Sequence, residues 1–131
     1  MRAVFWVCAA AGWLVAAVPA ASHHSFAAEF DVSRPIAFTG TVTRIEWTNP
    51  HAWIHVDVED ADGSVHNWAI ELLGINSLVR RGWRHDGLQP GDQVGVEGFA
   101  ARDGSTTGNA SVIIIVATGE RLWASSRSED E

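Results

Sequence analysis

The sequence contains very little cysteine and no lysine. Its one cysteine, Cys8, lies in an apolar N-terminal stretch that has the layout of an export signal. Removal of that stretch leaves a chain without thiols, which excludes disulfides, thiol catalysis and thiolate metal sites. We therefore expect the folded protein to be stabilised by its apolar core alone.

Positive charge is also scarce, because every basic residue is an arginine and the formal net charge is −7. An acidic protein repels nucleic acid and anionic lipid head groups. We therefore expect no nucleic-acid partner and, after signal cleavage, no membrane partner. A small molecule or a periplasmic protein is compatible with this charge, and so is plain solubility. The oligomeric state is left open by the sequence.

Residues 1–22 have the three parts of a secretory signal. Arg2 supplies a positive charge, an apolar stretch follows over residues 3–18, and small residues end it. The stretch is short for a membrane span, and no basic stop-transfer cluster follows it. We predict a periplasmic or secreted protein, with signal cleavage after residue 20, 21 or 22.

Two adjacent histidines, His23 and His24, come directly after this signal. Each of the three cleavage points leaves a histidine within the first three residues of the mature chain. A terminal amine with a nearby imidazole is a nitrogen chelate of the kind that copper(II) prefers. We predict copper(II) as the cofactor and His23, His24 and His51 as its ligands. The alternative is that the pair is solvated at a flexible terminus.

Strand patterns dominate the chain after an N-terminal arm at residues 23–35. The first strand, 36–47, changes its apolar phase near Thr43, which predicts a β-bulge. Residues 52–59 alternate between apolar and polar side chains, as a half-buried strand does. A hairpin turn at Gly63 then leads to a third strand at 64–72.

A short helix at 74–81 separates these strands from the last two. Asn76 or Ser77 is the predicted cap of this helix, and Gly82 is its predicted end. Strands follow at 93–101 and 110–117, with one more short pairing at 118–123. This order predicts an all-β fold with a single five-stranded OB-like barrel over residues 36–123. The polar tail, 124–131, is predicted to be disordered.

The outer face of strands 2 and 3 is the usual ligand surface of OB folds. Here it presents an aromatic platform with polar neighbours, which suits a sugar, a small aromatic ligand or a peptide. The predicted ligand-binding residues on and around this face are Trp47, Asn49, His51, Trp53, His55, Asn67 and Glu71. His51 and His55 are separated by roughly 13 Å on a regular strand, so they do not share one metal ion.

Structural roles compete with each of these assignments. Residues 49–51 are suited to a turn, and Trp53 is a surface on which Phe26 and Phe30 of the arm can pack. The arginines at 80, 81 and 84 form a basic island that suits a bound anion. More often such arginines pair with nearby carboxylates, and Glu71 is the predicted structural partner.

Four segments together resemble a family of small exported bacterial proteins of unknown function, DUF6152. They are residues 21–31, 40–53, 80–83 and 88–92, which contain the sequences HHSF, WTNPH and RRGW. The resemblance covers nearly the whole chain that follows the signal. It implies an exported single domain and no established activity or cofactor.

The sequence contains no G-x-S-x-G elbow, phosphate-binding loop, H-E-x-x-H motif or dinucleotide fingerprint. We therefore expect a periplasmic binding module without enzymatic activity. One alternative is a copper oxidase or oxygenase with an amino-terminal histidine brace, which requires cleavage after Ser22 and a third nitrogen from His51 or His55. Another is a ligand-free interaction subunit whose arm packs as a strap.

Overall fold

The fold is that of a computed structural model, which describes residues 26–125. The predicted signal, the His23 and His24 pair and the end of the predicted tail lie outside the described residues. The elements are α1 (Phe26–Glu29), β1 (Phe30–Glu46), β2 (Trp53–Glu59), β3 (Val65–Glu71), α2 (Ile75–Arg80), β4 (Gln93–Ala101), β5 (Thr107–Ile115) and β6 (Glu120–Trp123). Neither helix of this part of the chain is long and apolar enough to cross a membrane.

The first strand begins at Phe30, so its predicted start at Ile36 is wrong. Phe30 is buried and pairs with Ala101 of β4. The register then shifts between Phe30 and Pro35, where the proline has no amide hydrogen to give to the ladder. Strand pairing therefore extends through residues that the sequence assigned to the arm, and α1 comes directly before it.

A β-bulge in β1 lies where the change of apolar phase predicted it. Val42 pairs with Val56 and Arg44 pairs with His55, which leaves Thr43 as the additional residue. Such a bulge bends a strand and increases its twist. As a result, the first part of β1 pairs with β4 and its last part pairs with β2.

The six strands form one sheet in the order β3-β2-β1-β4-β5-β6, in which listed neighbours are antiparallel. β3 and β5 also pair in parallel, with Ala69 opposite Thr107 and Glu71 opposite Asn109. Each of β1 to β4 therefore has two strand neighbours, β5 has three, and β6 pairs with β5. The predicted all-β class is confirmed. The short pairing predicted at 118–123 is present as a sixth strand, β6, and β5 begins earlier than the predicted residue 110.

The alternation of β2 places its apolar side chains in the core, as predicted. Ile54 and Val56 are fully buried, whereas Trp53 and His55 on the opposite face are half-buried. Each strand contributes one face to the same core, which therefore needs no disulfide. Its largest fully buried side chains are Ile54, Ile70, Leu72, Leu78, Leu88, Ile113, Val42, Val56, Val94, Val96 and Val112.

The short helix α2 begins without a side-chain cap. Its N-cap is Gly74, so the predicted caps at Asn76 and Ser77 are wrong. The turn before β2 explains the glycine, because a Cβ atom at position 74 would lie 2.5 Å from the Pro50 oxygen and 2.6 Å from Asn49 Oδ1. Gly82 follows the helix with a φ of 92°, which agrees with its predicted role as the end of the helix.

Close packing at β5 depends on a second glycine, Gly108. A Cβ atom there would lie 2.6 Å from Ile36 Cδ1 and 3.2 Å from the Phe99 oxygen. Gly108 pairs with Ala100 of β4 on one side and with Ile70 of β3 on the other. The absence of a side chain thus lets three strands meet at this position.

Candidate ligand-binding site

The register of β2 and β3 brings four of the predicted ligand-binding residues onto one outer face. Trp53 lies opposite Glu71, and Asp57 lies opposite Asn67. His55 lies opposite Ala69 between these two pairs. Directly opposed side chains share a face of the sheet, so the strands place Trp53, His55, Asn67 and Glu71 side by side.

Three further strands and a helix convert one end of this face into a cleft, with Phe30 from β1, Ala101 from β4 and Thr107 from β5. β5 adds Thr107 beside Ala69 and Asn109 beside Glu71, and α1 lies at the rim. The cleft has a volume of about 340 Å³. It is lined by Ala28, Glu29, Phe30, Trp53, Glu71, Ala101, Arg102, Asp103, Ser105 and Thr107.

Glu71 is the most buried charged residue of the cleft, with 7% of its surface exposed. Its Oε1 atom accepts a hydrogen bond of 3.3 Å from Asn109 Nδ2 and lies 3.2 Å from His51 Nδ1. Burial raises the pKa of the Glu71 carboxyl, the nearby His51 acts in the opposite direction, and Glu29 adds to the increase. The ionised carboxylate is therefore held in a place where it is poorly solvated.

His51 is oriented by two oxygen atoms. Its Nδ1 atom lies 3.2 Å from the Leu72 oxygen and 3.2 Å from Glu71 Oε1. A backbone carbonyl accepts hydrogen bonds only, so we assign the ring hydrogen to Nδ1. In the neutral ring this leaves the lone pair on Nε2, and 46% of the His51 side chain is exposed.

His55 belongs to a separate group on the same sheet face. Its Nε2 atom lies 2.8 Å from Glu46 Oε1 and 2.9 Å from Arg44 Nη2. Arg44 also donates to Glu46 over 2.8 Å. The three side chains are bound to one another, and none of them lines the cleft.

Asn67, Trp47 and Asn49 also lie apart from the cleft. Asn67 donates to Asp57 Oδ1 over 2.8 Å, and Trp47 stacks on His85 with ring centroids 5.4 Å apart. Asn49 lies in the turn beside Gly74. Of the seven predicted ligand-binding residues, Trp53 and Glu71 line the cleft, and His51 contacts it through Glu71.

The predicted pairing of Glu71 with the basic island is wrong. Those arginines have partners close to them in sequence, since Arg80 donates to Ser77 Oγ over 3.1 Å and Arg84 pairs with Asp86 at 3.2 Å. Glu71 instead contacts groups from β5 and from the turn before β2. Local hydrogen bonds therefore satisfy the arginines, and long-range strand pairing determines the partners of Glu71.

Arg102 fixes α1 at the rim of the cleft. Its Nε atom donates to the Ala27 oxygen over 2.7 Å, and its backbone amide donates to the Glu29 oxygen over 2.9 Å. Phe26 packs against Phe30 at 5.3 Å and edge-on against Phe99 at 6.0 Å between centroids. The sequence favours Trp53 as the packing surface of these two rings, whereas the ring that Phe26 meets edge-on is Phe99 of β4.

Within residues 26–125, no group of three or more His, Cys, Asp or Glu side chains is arranged to hold a metal ion. The predicted copper ligands His23 and His24 lie outside the described residues.

Comparison with known proteins identifies the family. Residues 12–110 match the model of a family of unknown function, DUF6152. The chain belongs to DUF6152. No curated protein and no solved structure matches it. Membership in DUF6152 confirms the resemblance seen in the sequence and assigns no activity, so the function of this DUF6152 protein has to be argued from its own residues.

Sequence reasoning missed Thr107, Asn109, Arg102 and Glu29. Each is contributed by a segment distant from β2 and β3 in sequence; Asn109, for example, is 38 positions from Glu71. Polar side chains of this kind are common in the sequence. The parallel pairing of β3 with β5 places Thr107 and Asn109 beside β3, and this pairing is visible only in the structure. The one local signal is the polar start of the strand, with Thr107 and Asn109 before the apolar run at 112–115.

Proposed function

We propose that this DUF6152 protein is an exported, periplasmic binding module without enzymatic activity, built as an OB-like barrel. The circuit of pairings through β1, β2, β3, β5 and β4 supports the barrel. Its ligand is a small molecule held in the cleft on the outer face of β2 and β3. This is the surface that OB folds use most often for binding.

The cleft around Trp53 and Glu71 is the observation that carries this proposal. Its volume of about 340 Å³ is within the range of small-molecule sites. An aromatic ring supplies apolar contact area, and the hydroxyl groups of Ser105 and Thr107 and the carboxylate of Glu71 supply polar contacts. A few polar groups on an apolar wall are what fixes the orientation of a small ligand.

The cost of keeping Glu71 in this place also favours a binding role. Burial raises the pKa of its carboxyl, which means that the ionised form weakens the fold near neutral pH. Perturbed ionisable groups in clefts concentrate at functional sites. A purely structural position on a sheet face would be more stable with an uncharged side chain.

A fragment screen by NMR tests the cleft. We expect small ligands to shift the indole signal of Trp53 and the amide signals of Ser105 and Thr107. Trp53→Ala should weaken binding by about tenfold, because it removes the aromatic wall. Trp123→Ala is the matched control, since Trp123 is exposed on β6 and does not line the cleft.

Two results would contradict the proposal. One is a set of fragments whose shifts map elsewhere on the barrel and leave the cleft signals unchanged. The other is equal loss of affinity in the Trp53 and Trp123 variants, which would indicate a general effect on the fold.

Copper(II) binding is the second candidate function, and the orientation of His51 favours it. Histidines that bind metals usually donate the other ring N–H to a carboxylate or a carbonyl. His51 makes this arrangement with Glu71 and Leu72, and its Nε2 atom keeps the lone pair. His23 and His24 precede α1 by a few positions in the sequence and would supply the remaining nitrogen ligands.

Titration of copper(II) into correctly processed protein tests this candidate. The protein is exported from a bacterium and purified without a tag or a chelator. We expect His51→Ala and the double variant His23→Ala/His24→Ala each to weaken binding by tenfold or more. His55→Ala is the matched control on the same strand, because its ring is held by Glu46 and Arg44. Unchanged affinity in the double variant would exclude the arm as the site.

Intact mass of the same preparation separates the binding module from the oxidase alternative. A histidine brace requires His23 to be the first residue, so that its amine and imidazole bind one copper ion. A mature chain that begins at Ala21 or Ser22 excludes the brace. Such a chain is still able to chelate copper(II) through its terminal amine and a nearby histidine.

A further inference from the structure

We propose that the cleft selects a small organic ammonium cation, which Trp53 and Glu71 hold together. This inference rests on the proposed function, because it names the ligand class of the same cleft. The structure supports it through the balance of charge along the lining, the position of the aromatic ring and the way in which the one guanidinium of the cleft is already engaged.

Negative charge exceeds positive charge around the cleft. Glu29, Glu71 and Asp103 contribute carboxyl groups, and Arg102 contributes the single guanidinium. Hydrogen bonds from the hydroxyl and amide of Ser105 hold the pKa of Asp103 below its usual value, so this group is ionised at neutral pH. The lining therefore disfavours an anionic ligand and attracts a cation.

Arg102 does not neutralise the interior of this site. Its Nε atom donates to the Ala27 oxygen at 2.7 Å, and its Nη1 atom lies 3.7 Å from Asp31 Oδ2. The guanidinium is thus directed to α1 and to a carboxylate that is not part of the lining. No lysine exists anywhere in the chain to supply a competing ammonium group.

Trp53 and Glu71 are suited to one cation because they are directly opposed on neighbouring strands. Directly opposed residues have Cβ atoms about 5 Å apart. A cation within about 6 Å of an indole ring is attracted by the ring, and this attraction is strongest when water is excluded. A buried carboxylate on the adjacent strand adds charge complementarity, which in turn compensates for the poor solvation of Glu71.

Choline, ethanolamine and 3,3-dimethylbutan-1-ol are the probes that test this inference. The third compound has the shape of choline with a neutral carbon in place of the nitrogen. We expect at least one of the two ammonium compounds to bind the full mature protein at least fivefold more tightly than the neutral compound, with shifts at the Trp53 indole signal. Calorimetry and NMR titration provide the affinities.

Glu71→Gln and Trp53→Ala should each remove most of this preference, whereas Glu46→Gln and Trp123→Ala should keep it. Glu46 and Trp123 serve as matched controls because neither lines the cleft. Circular dichroism establishes that each variant is folded, and Glu71→Gln preserves the size of the side chain.

The outcomes separate this inference from the proposed function. Equal binding of choline and its neutral analogue in the cleft overturns the cation preference and leaves a binding cleft. Failure of both ammonium compounds to bind at millimolar concentrations, while neutral fragments occupy the cleft, overturns the inference in the same way. Absence of any fragment from the cleft overturns the inference and the proposed function together.

Discussion

Two histidine–glutamate pairs near the start of β2 resemble each other in chemistry and differ in burial. In one, His51 Nδ1 lies 3.2 Å from Glu71, whose side chain is 10% exposed while that of the histidine is 46% exposed. In the other, His55 Nε2 lies 2.8 Å from Glu46, and the exposures are 16% for the histidine and 37% for the glutamate. The first pair buries the carboxylate, and the second buries the imidazole.

This difference shows that the environment, rather than the residue types, decides what such a pair can do. Glu46 has Arg44 beside it and water around it, so its charge is compensated where it lies. Glu71 has lost much of its water, and its carboxylate lies in the wall of the cleft beside His51 and Asn109. One carboxylate lies near water at the surface, while the other is buried in the wall of the cleft.

Charge reversal of the two glutamates should give the largest difference in stability between the two pairs. Glu71→Lys places an ammonium group beside His51 and the amide of Asn109, which offer donors where the lysine needs acceptors. We expect a loss of about 3 kcal/mol in the free energy of unfolding, as is typical when a buried pair is broken. Glu46→Lys should cost less than about 1 kcal/mol, because the group is near water.

Urea denaturation of both variants provides the measurement. Similar losses in the two variants would show that burial does not distinguish the pairs.

Neutralisation of the two glutamates should have a smaller effect of opposite sign. Glu71→Gln should raise the free energy of unfolding by about 1 kcal/mol at pH 7, because an uncharged amide avoids the cost of burying a carboxylate. Glu46→Gln should lower it by a few tenths of a kcal/mol, because a solvated ion pair contributes little. Destabilisation by Glu71→Gln would mean that its contacts with His51 and Asn109 outweigh the cost of burial.

The gain from Glu71→Gln should also depend on pH. Since burial raises the pKa of the Glu71 carboxyl above its usual value, the folded state binds this proton more tightly than the unfolded state does. The wild-type protein therefore loses stability as the pH rises from the unfolded to the folded pKa of this group. The difference between variant and wild type should be largest above that window and should shrink below about pH 4.

Removal of His51 should change the pKa of Glu71, whereas removal of His55 should not. His51 lowers the pKa of Glu71, so His51→Ala should raise that pKa beyond its wild-type value. The free energy of unfolding should fall by about 0.5 kcal/mol, which is within the range of partly exposed ion pairs. NMR titration of the Glu71 carboxyl carbon measures the shift. His55→Ala is the control, and a comparable shift of the Glu71 signal in that variant would contradict the assignment.

Salt should have the smallest effect. Screening by 1 M sodium chloride shortens the Debye length to about 3 Å and weakens the exposed group of Arg44, Glu46 and His55. The stability difference between wild type and Glu46→Gln should then fall to nearly zero. The difference for Glu71→Gln should change little, because a buried charge is screened less. An equal response of both differences to salt would show that Glu71 is as well solvated as Glu46.

The features of the fold and the cleft that could be predicted from the sequence depend on local patterns. Alternation along β2 placed Trp53 and His55 on the outer face, and the change of apolar phase placed the bulge near Thr43. Both patterns follow directly from the two-residue period of a strand. The predicted binding face therefore contains Trp53 and Glu71 in the position that the structure gives them.

The parts that could not be predicted depend on contacts between distant segments. Asn109 and Thr107 reach the site through the parallel pairing of β3 with β5, which leaves no periodic signal in the sequence. The start of β1 at Phe30 depends on a partner in β4 that lies about 70 residues away, Ala101. Glu71 was assigned to the arginines of the basic island because they were near in sequence, although β5 supplies its hydrogen-bond donor.

Gly108 limits which positions near the cleft can vary in sequence. A Cβ atom at this position would lie 2.6 Å from the end of the Ile36 side chain and 3.2 Å from the Phe99 oxygen, so a larger residue requires these groups to shift. Its neighbour Thr107 lines the cleft, and so do Ser105 and Trp53. Substitution at these lining positions changes the wall of the cleft while the junction stays intact. A saturation library should therefore show lower tolerance to substitution at Gly108 than at Thr107, Ser105 and Trp53.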